Sequence, residues 1–324
     1  MLPLFSVVIP LYNKASYIAR AVQSVLRQDF GDYEVIVIDD GSTDGGGEIV
    51  RSIGDARIKL VVQDNLGASS ARKTGVLSAT GRYVGFLDAD DEWKPGFLSE
   101  MSALVSDYPD CGIYASAYEI LERDGRRLTM RNRFANDAWR GRIRNYFRNV
   151  ASKNLIVCSS AVVVRRSIIT EDAFLSGREN MGEDQYLWTS IALEYPVAYS
   201  QTVLALYHRD AESSFAAIGP LKAPPCFVPP LAGVVRTGSF HGRAIAPEVL
   251  RQVRRYISEN LVQLAIINAR HGDHRAARRF ISDPMARAKP VRLAAAAAYL
   301  FLRYASNLIG RRWYRRRGGA ASRE

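Results

Sequence analysis

Short apolar runs alternate with amphipathic stretches through the first 90 residues of the chain. The apolar runs are rich in β-branched and aromatic residues, and they predict buried strands at residues 5–9, 33–38, 58–62 and 83–87. Between the strands, apolar residues recur at helical spacing over 15–27 and again over 69–79. Strands that alternate with helices predict a protein of the α/β class, with a mostly parallel sheet flanked by helices.

Polar residues follow three of these strands at the point where each strand ends. They are Tyr12 and Asn13 after the first strand, Asp39 and Asp40 after the second, and Asp88 and Asp90 after the fourth. The carboxyl ends of parallel strands meet at one edge of the sheet, where ligands bind. We therefore expect these residues to form a ligand site. A G-x-G-x-x-G loop does not follow the first strand, so the sequence does not predict the phosphate cradle of dinucleotide-binding proteins.

The sequence Asp88-Ala89-Asp90-Asp91 indicates what this edge binds. In an extended chain the side chains of Asp88 and Asp90 would point the same way, with Ala89 pointing away. Two neighbouring carboxylates repel each other unless a cation lies between them, and a hard divalent ion shared with phosphate oxygens fits this pattern. The alternative is a solvated acidic turn, because a D-x-D sequence on its own has low specificity.

The section from 111 to 209 is less regular. It has strand-like runs at 112–118, 161–164 and 203–207. Residues 123–148 are rich in arginine and aromatics, and they either cover one side of the expected ligand site or form solvated surface. Glu183 and Asp184 open a predicted helix, where they either cap the helix and interact with its dipole or supply a general base.

Five prolines between positions 220 and 230 predict a linker and a domain boundary. We expect a main domain at 1–219, with two halves at 1–110 and 111–219. A linker at 220–240 and a basic helical region at 241–324 would follow. Within that region, apolar spacing predicts amphipathic helices at 247–270 and 275–281.

The net charge of +11 is concentrated in the last quarter of the chain. Residues 241–324 contain 18 Lys and Arg against 5 Asp and Glu, whereas the first 240 residues contain 26 against 28. An apolar run at 293–302 is shorter than the roughly 20 residues that a transmembrane helix needs. The run at 311–317 combines arginines with Trp313 and Tyr314. This pattern predicts a helix that lies on an anionic membrane surface, and RNA binding or a disordered solubilising tail are the alternatives.

The N-terminus has neither the basic segment nor the cleavage site of a secretion signal. The cysteines Cys111, Cys158 and Cys226 lack metal-ligand spacing and fit a reducing compartment. We therefore expect a cytoplasmic protein that associates peripherally with the inner face of the membrane.

Four sequence blocks occur in a set order: SVVIPLYN at 6–13, VIDDGSTD at 37–44, NLG at 65–67 with Ala71-Arg72, and LDADD at 87–91. Together they resemble the family 2 inverting glycosyltransferases of the GT-A fold. A fifth block, Gly182-Glu183-Asp184 with Trp188, is similar to the acceptor-side motif of that family. The resemblance covers about residues 5–214 and does not extend to the last quarter of the chain. It implies that residues 1–110 are the nucleotide-binding half of the main domain and that residues 111–219 are the acceptor half, where residues 123–148 would either cover the acceptor side or form solvated surface.

The resemblance implies a role for each matching residue. Residues that would bind the nucleotide sugar are Pro10, Tyr12, Asn13, Asp39, Asp40, Gly67, Arg72, Asp88 and Ala89, with Pro10, Tyr12 and Asp39 at the nucleobase. Asp90 would bind Mg²⁺ or Mn²⁺ on the diphosphate, with Asp88 beside it. Asp184, next to Glu183, would be the general base that takes the proton of the acceptor hydroxyl. His208 is either a further metal ligand or a surface histidine.

The chain departs from the family pattern in three places. It has Lys73 where many members have the Asn of an A-R-N-x-G motif, and His208 is followed by Asp210 before Ser213 and Ser214. The Q-x-x-R-W motif of processive members is absent, which predicts transfer of one sugar per encounter.

The resulting hypothesis is a metal-dependent transferase that moves one sugar from a nucleotide donor, expected to be UDP-linked, to a glycan or lipid-linked glycan. Nucleic acid is not the expected partner. The alternative is a nucleotide- or RNA-binding module with an inactive transferase-like domain. A nucleotidyltransferase is a third option, but it would usually have a basic Gly-rich phosphate loop near the first strand, which this sequence lacks.

Overall fold

The computed structural model describes residues 2–130, 139–152, 157–174, 181–209 and 223–288. The apolar run at 293–302, the basic run at 311–317 and part of the arginine-rich segment at 123–148 lie outside these residues. Among the helices in the described ranges, none is both long and apolar enough to cross a membrane.

The four strands predicted in the first 90 residues are present and parallel. They are β1 (Phe5–Leu11), β2 (Tyr33–Asp39), β3 (Ile58–Val62) and β4 (Tyr83–Phe86), and they lie in the order β3-β2-β1-β4. The connecting helices are α1 (Ala15–Leu26), α2 (Gly46–Ser52) and α3 (Ala68–Ser78). Because side chains alternate along a strand, Val7 and Ile9 of β1 join the core cluster that includes α1, while Val8 faces Gly75 of α3.

The other half of the sheet is mixed. Beyond β4 lie β9 (Val162–Arg165), β6 (Ile113–Leu121), β10 (Val197–His208) and β5 (Glu92–Trp93). β9 runs antiparallel to both β4 and β6, whereas β6 and β10 are parallel. The short strands β7 (Arg127–Met130) and β8 (Arg140–Arg142) pair antiparallel with β6 and β10. The apolar run at 161–164 predicted the strand β9 but carried no information about its direction.

Three further helices belong to this half: α4 (Phe97–Asp107), α5 (Tyr146–Ala151) and α6 (Glu183–Glu194). Trp188 of α6 is buried and packs edge-on against Phe86 of β4, with 5.5 Å between the ring centroids. This contact anchors the first turns of α6 next to the end of β4. The acidic residues at the start of α6 are thereby placed near the acidic residues that follow β4.

The described residues fall into two compact units, of which the first contains those up to Arg209 together with Pro225–Phe227. The second unit contains α7 (Val228–Thr237), β11 (Ser239–Phe240), β12 (Arg243–Ala244), α8 (Pro247–Arg270) and α9 (His274–Ile281). α7 lies inside the segment 220–240, which was predicted to be a linker. Pro229 and Pro230 are in the first turn of α7, where proline is tolerated because the amides there have no intrahelical acceptor.

Candidate active site

Side-chain hydrogen bonds connect the segment after β1 to the loop after β2. The amide of Asn13 donates to Ser42 Oγ at 3.1 Å, and Asn13 Oδ1 accepts from the amide of Thr43 at 2.9 Å. Asp44 Oδ2 accepts from the amide of Ala15, the first residue of α1, at 2.7 Å. Asn13 has a φ of 49°, a left-handed conformation that asparagine tolerates. The Asn13 side chain therefore shapes the edge of the sheet by holding the loop.

Asp39 and Asp40 are both buried, but they have different partners. Asp40 accepts hydrogen bonds from Gln63 Nε2 at 2.7 Å and from the amides of Leu66 and Gly67 at 2.9 Å and 2.8 Å. The Asp40 carboxylate thus holds the loop that contains Gly67. Asp39 Oδ1 accepts from the amide of Ser42 at 2.9 Å, which ties Asp39 to the loop of its own strand end.

Three other predicted nucleotide-site residues differ in accessibility. Tyr12 is 48% exposed, so its ring is available to a ligand at the end of β1. Pro10 is partly buried within β1. Ala89 is buried and belongs to the apolar core cluster, so it supports the site from beneath.

The residues 88–91 form a turn, which corrects the expectation of an extended chain. The amide of Asp91 donates to the carbonyl of Asp88 at 3.0 Å and closes the turn. The carboxylates of Asp88 and Asp90 have different cationic partners. Asp88 Oδ1 accepts from Arg72 Nη2 at 2.9 Å, and Asp90 Oδ2 lies 2.6 Å from Lys14 Nζ.

Asp91, the third carboxylate of this motif, is completely buried. Its carboxylate accepts from the backbone amide of His208 at 2.8 Å and from the hydroxyl of Ser160. Burial raises the pKa of Asp91, and the negative charges of Asp88 and Asp90 raise it further, although the two hydrogen bonds act in the opposite direction. Asp91 therefore fixes the turn to β10 and to the segment before β9.

Arg72, from α3, connects the two acidic motifs. Its buried guanidinium donates to Asp88 and, through Nη1 at 3.4 Å, to Glu183 Oε1. Burial alone would lower the pKa of Arg72, but the charges of Asp88, Glu183 and Asp184 raise it above its ordinary range. The guanidinium therefore stays charged and balances part of the negative charge of the site.

Glu183 and Asp184 lie in the first turn of α6, as predicted, and Asp184 Oδ1 accepts a hydrogen bond from the amide of Gln185 in that turn at 2.7 Å. The residue at the N-cap is Gly182, with a φ of 91° and without a side-chain cap. Asp184 Oδ2 accepts from the hydroxyl of Ser159 at 3.1 Å. Ser159 and Ser160 are adjacent, so one short segment contacts both Asp184 and Asp91.

His208 is buried at the end of β10, so the interpretation of His208 as a surface histidine is wrong. His208 Nε2 lies 3.0 Å from Glu92 Oε1. Among the described residues, no group of three or more His, Cys, Asp and Glu side chains has the arrangement of a metal site. The predicted set of Asp88, Asp90 and His208 is therefore not assembled as a three-residue site, because each member pairs with a different neighbour.

The donor chemistry nevertheless fits a divalent ion. Asp88 and Asp90 carry hard carboxylate oxygens, and their side chains are 28% and 19% exposed. Mg²⁺ is usually bound through one or two carboxylates together with substrate phosphates. Asp88 and Asp90 are therefore the residues that would hold such an ion, and a third protein ligand would not be required.

The sequence interpretation missed four residues that the structure brings to this site: Lys14, Arg20, Ser159 and Ser160. Arg20 donates to the backbone carbonyl of Asp90, and Ser160 Oγ accepts from the amide of Asp88 at 3.2 Å. Lys14 could have been predicted, because it directly follows Tyr12 and Asn13 at the end of β1. Ser159 and Ser160 could not, because their position depends on the direction of β9.

Comparison with solved structures identifies the class of fold. The crystal structure of Staphylococcus aureus TarS 1-349 in complex with UDP-GlcNAc aligns with a TM-score of 0.59 and 18% identity, over 86% of this chain and 90% of that chain. The mannosyltransferase PcManGT from Pyrobaculum calidifontis, in complex with GDP-Man and Mn²⁺, aligns with a TM-score of 0.55 and 18% identity, over 95% of this chain and 88% of that chain. At this identity the likeness concerns the fold, which is of the GT-A type.

The sequence profile of glycosyl transferase family 2 matches residues 6–172, just over half of the chain. The protein belongs to this family. The Bacillus subtilis uncharacterized glycosyltransferase EpsJ is 38% identical over 120 residues, which are 35% of this chain and 35% of EpsJ. The putative teichuronic acid biosynthesis glycosyltransferase TuaG of the same organism is 39% identical over 126 residues, 38% of this chain and 50% of TuaG. These matches span about a third to a half of the relatives' length.

Proposed function

We propose that this protein is a metal-dependent inverting glycosyltransferase that moves a single sugar from a nucleotide sugar, of the UDP-linked kind, to a hydroxyl of a glycan or lipid-linked glycan. Membership of glycosyl transferase family 2 supports sugar transfer. The observation that carries the proposal is the contact of Arg72 with both Asp88 and Glu183, because it joins the motif assigned to the donor with the motif assigned to the acceptor.

The nucleoside would bind at the ends of β1 and β2. The exposed ring of Tyr12 offers an aromatic face for a base, and Pro10 lies two positions before it in the sequence. Asp39 is an acceptor-only group when ionised, so it favours a base that presents an N–H group, as uracil does. Asn13, Asp40 and Gly67 would act by shaping this pocket, since their side chain or backbone groups hold the two loops together.

The diphosphate would lie at the turn that follows β4. Asp90 and Asp88 are the residues that would hold Mg²⁺ or Mn²⁺ there, and Arg72 keeps Asp88 in position. When bound, such an ion would neutralise negative charge on the departing diphosphate. His208 contributes indirectly in this proposal, because its backbone amide and its ring contact Asp91 and Glu92 within the same turn region.

Asp184 is the better candidate for the general base. Glu183 accepts a hydrogen bond from the guanidinium of Arg72 at 3.4 Å, so its carboxylate is already engaged in a structural contact. Asp184 accepts from a neutral partner, the Ser159 hydroxyl, at 3.1 Å. We therefore assign proton removal to Asp184 and the positioning of Arg72 to Glu183.

In the proposed reaction the acceptor oxygen forms a bond to the anomeric carbon while the bond from that carbon to the diphosphate oxygen breaks. The hydroxyl proton passes to the Asp184 carboxylate, and the electron pair of the broken bond leaves with the nucleoside diphosphate. Because the acceptor attacks from the side opposite the leaving group, the configuration at the anomeric carbon is inverted.

Donor binding and transfer, measured separately, test this assignment. A thermal-shift panel of nucleotide sugars with Mn²⁺ identifies the donor, since a bound ligand raises the apparent stability. With that donor, Asp184→Asn is expected to bind with unchanged affinity and to lose transfer by about 100-fold or more. Asp110→Asn, which changes an exposed aspartate paired with Arg142, is the matched control and retains transfer. Wild-type transfer in Asp184→Asn would show that the base lies elsewhere.

The same measurements distinguish the transferase from a binding module. Wild-type protein that binds a UDP-sugar with Mn²⁺ but releases no UDP with any glycan or lipid-linked acceptor would favour the inactive, nucleotide-binding alternative. Asp90→Ala tests the role of the ion, and it is expected to abolish the stimulation of turnover by Mn²⁺.

We also propose that the protein is cytoplasmic and that its second unit associates with the anionic surface of a membrane. Within the described residues, α9 buries Ala277 and Phe280 and exposes Arg275, Arg278 and Arg279. Changing these three arginines to Gln in the full chain is expected to weaken sedimentation with phosphatidylserine vesicles, and added salt should have the same effect. Equal sedimentation of the variant would contradict this role for α9, and tighter binding to an RNA oligonucleotide than to vesicles would favour nucleic acid.

A further inference from the structure

Lys14 and Asp90 form a shielded ion pair although 76 residues separate them in the sequence. Lys14 Nζ lies 2.6 Å from Asp90 Oδ2, and the two side chains are 16% and 19% exposed. Shielded charges are screened less by salt than exposed ones. The ammonium of Lys14 is therefore paired with the same carboxylate, Asp90, that would bind a divalent ion.

The backbone on both sides of Lys14 is held by the loop after β2. Asn13 is bonded to Ser42 and Thr43, and the amide of Ala15 donates to Asp44. Lys14 thus links two parts of the site: its backbone is fixed to the loop that follows Asp39, and its ammonium reaches the turn at 88–91. A donor with its nucleobase at Asp39 and its ion at Asp90 would place the diphosphate between these two parts.

Arg20 lies in α1, the helix that begins directly after Lys14, and it contacts the same turn as Lys14. It donates to the backbone carbonyl of Asp90 and thereby fixes the turn rather than the carboxylate. The guanidinium of Arg20 and the ammonium of Lys14 lie 5.6 Å and 5.7 Å from the ring centroid of Tyr17, respectively. The turn can therefore stay in place when the ammonium moves, because Arg20 contacts the backbone of Asp90.

We infer that Lys14 is an exchangeable partner of Asp90: it pairs with Asp90 in the ligand-free protein and binds the donor diphosphate when a divalent ion takes Asp90. This inference rests on the proposed function. A dication attracts a carboxylate more strongly than an ammonium does at the same distance. The displaced ammonium stays in a shielded position and needs an anion, and the diphosphate that accompanies the ion supplies one.

The exchange has opposite consequences for the ion alone and for the nucleotide. Lys14 competes with an ion that arrives without a nucleotide, and so it weakens binding of the free ion. Lys14 strengthens binding of a nucleoside diphosphate once the ion is present. The protein would therefore load the ion together with the nucleotide rather than on its own.

Lys14→Met separates these two effects. With Mn²⁺ alone, followed through the electron paramagnetic resonance signal of free Mn²⁺, the variant is expected to bind about fivefold more tightly, the equivalent of an ion pair worth about 1 kcal/mol. With UDP at saturating Mn²⁺, measured by calorimetry, it is expected to bind about tenfold more weakly, because a charge-assisted contact to phosphate is lost.

Two variants control for structural damage. Lys94→Met removes a comparable ion pair, in which Lys94 Nζ lies 2.9 Å from Glu119 Oε2 and the side chains are 29% and 17% exposed. It is expected to leave both affinities unchanged. Lys14→Arg keeps the charge and is expected to retain UDP binding without the gain in Mn²⁺ affinity.

The opposite signs in Lys14→Met support the inference, since a misfolded site would weaken both affinities. Loss of both affinities in Lys14→Met, or values equal to those of Lys94→Met, would overturn the exchange while leaving the transferase assignment intact. Wild-type protein that binds neither Mn²⁺ nor UDP would remove the proposed function and this inference together.

Discussion

Ser6 and Glu34 are register partners in the adjacent strands β1 and β2, and Ser6 Oγ donates to Glu34 Oε1 at 2.6 Å. The same oxygen accepts from the amide of Thr80 at 2.8 Å and from its hydroxyl at 2.6 Å. The amide of Gly81 in turn donates to Ser6 Oγ at 2.9 Å. The acidic residue in an otherwise apolar strand thus fastens β1, β2 and the connection from α3 to β4.

This network makes stability depend on pH. Burial alone would raise the pKa of Glu34, but the hydrogen bonds from Ser6 and Thr80 lower it below its ordinary value of 4.5. The unfolded chain therefore takes up the proton first as the pH falls. The stabilisation from Glu34 is complete above about pH 4.5 and is lost as the pH falls from there through the lower, folded-state pKa.

Glu34→Gln tests this dependence. At neutral pH the variant is expected to be less stable by about 1–2 kcal/mol, because the neutral amide oxygen of Gln is a weaker acceptor than the charged carboxylate. Urea denaturation at several pH values is expected to show the difference shrinking below about pH 4.5. Glu48→Gln, at an exposed glutamate that pairs with Arg51, is the control. A difference that does not vary with pH would contradict the role of the Glu34 charge.

Gly75 allows α3 to lie against β1. A Cβ added at Gly75 would come within 2.2 Å of Val8 Cγ1, closer than side chains can approach. Alanine is the better helix former, yet Gly75→Ala is expected to destabilise the protein by about 1–3 kcal/mol through overpacking. Thermal unfolding measures the change.

Two variants show whether the clash is the cause. Gly31→Ala, where nothing lies within 4 Å of the added Cβ, should change stability by at most about 0.5 kcal/mol. The double variant Gly75→Ala with Val8→Ala is expected to lose less unfolding free energy than the two single variants lose together. If the two losses simply add, the side chain of Val8 is not what a Cβ added at Gly75 would clash with.

Arg72→Met leaves Asp88 and Glu183 without their shared counter-charge. We expect a loss of about 3 kcal/mol in unfolding free energy, the lower end for a broken buried pair because Asp88 is 28% exposed. Arg51→Met removes an exposed pair, with side chains 56% and 74% exposed, and is expected to cost at most about 1 kcal/mol. Equal losses in the two variants would show that Arg72 does not bridge the acidic motifs.

Several features of this protein follow from the sequence by itself. The parallel direction of β1, β2, β3 and β4 was predictable because strand-like apolar runs alternate with helical patterns in this part of the chain. The proximity of the polar segments that follow β1, β2 and β4 was also predictable, since carboxyl ends of parallel strands share an edge. The start of α6 with Glu183 and Asp184 and the helix α8 were visible as local periodicity.

The pairing of side chains across the site came from the tertiary structure. Lys14 with Asp90, Arg72 with Glu183 and Ser159 with Asp184 each join residues that lie far apart in the chain. Local periodicity reports which face of an element is buried, but it does not report the direction of β9 or the partner that a carboxylate meets. The direction of β9 and the partners of the carboxylates depend on how distant strands pair. The turn at 88–91, where an extended segment was expected, likewise depends on contacts with distant residues such as Ser160 and His208.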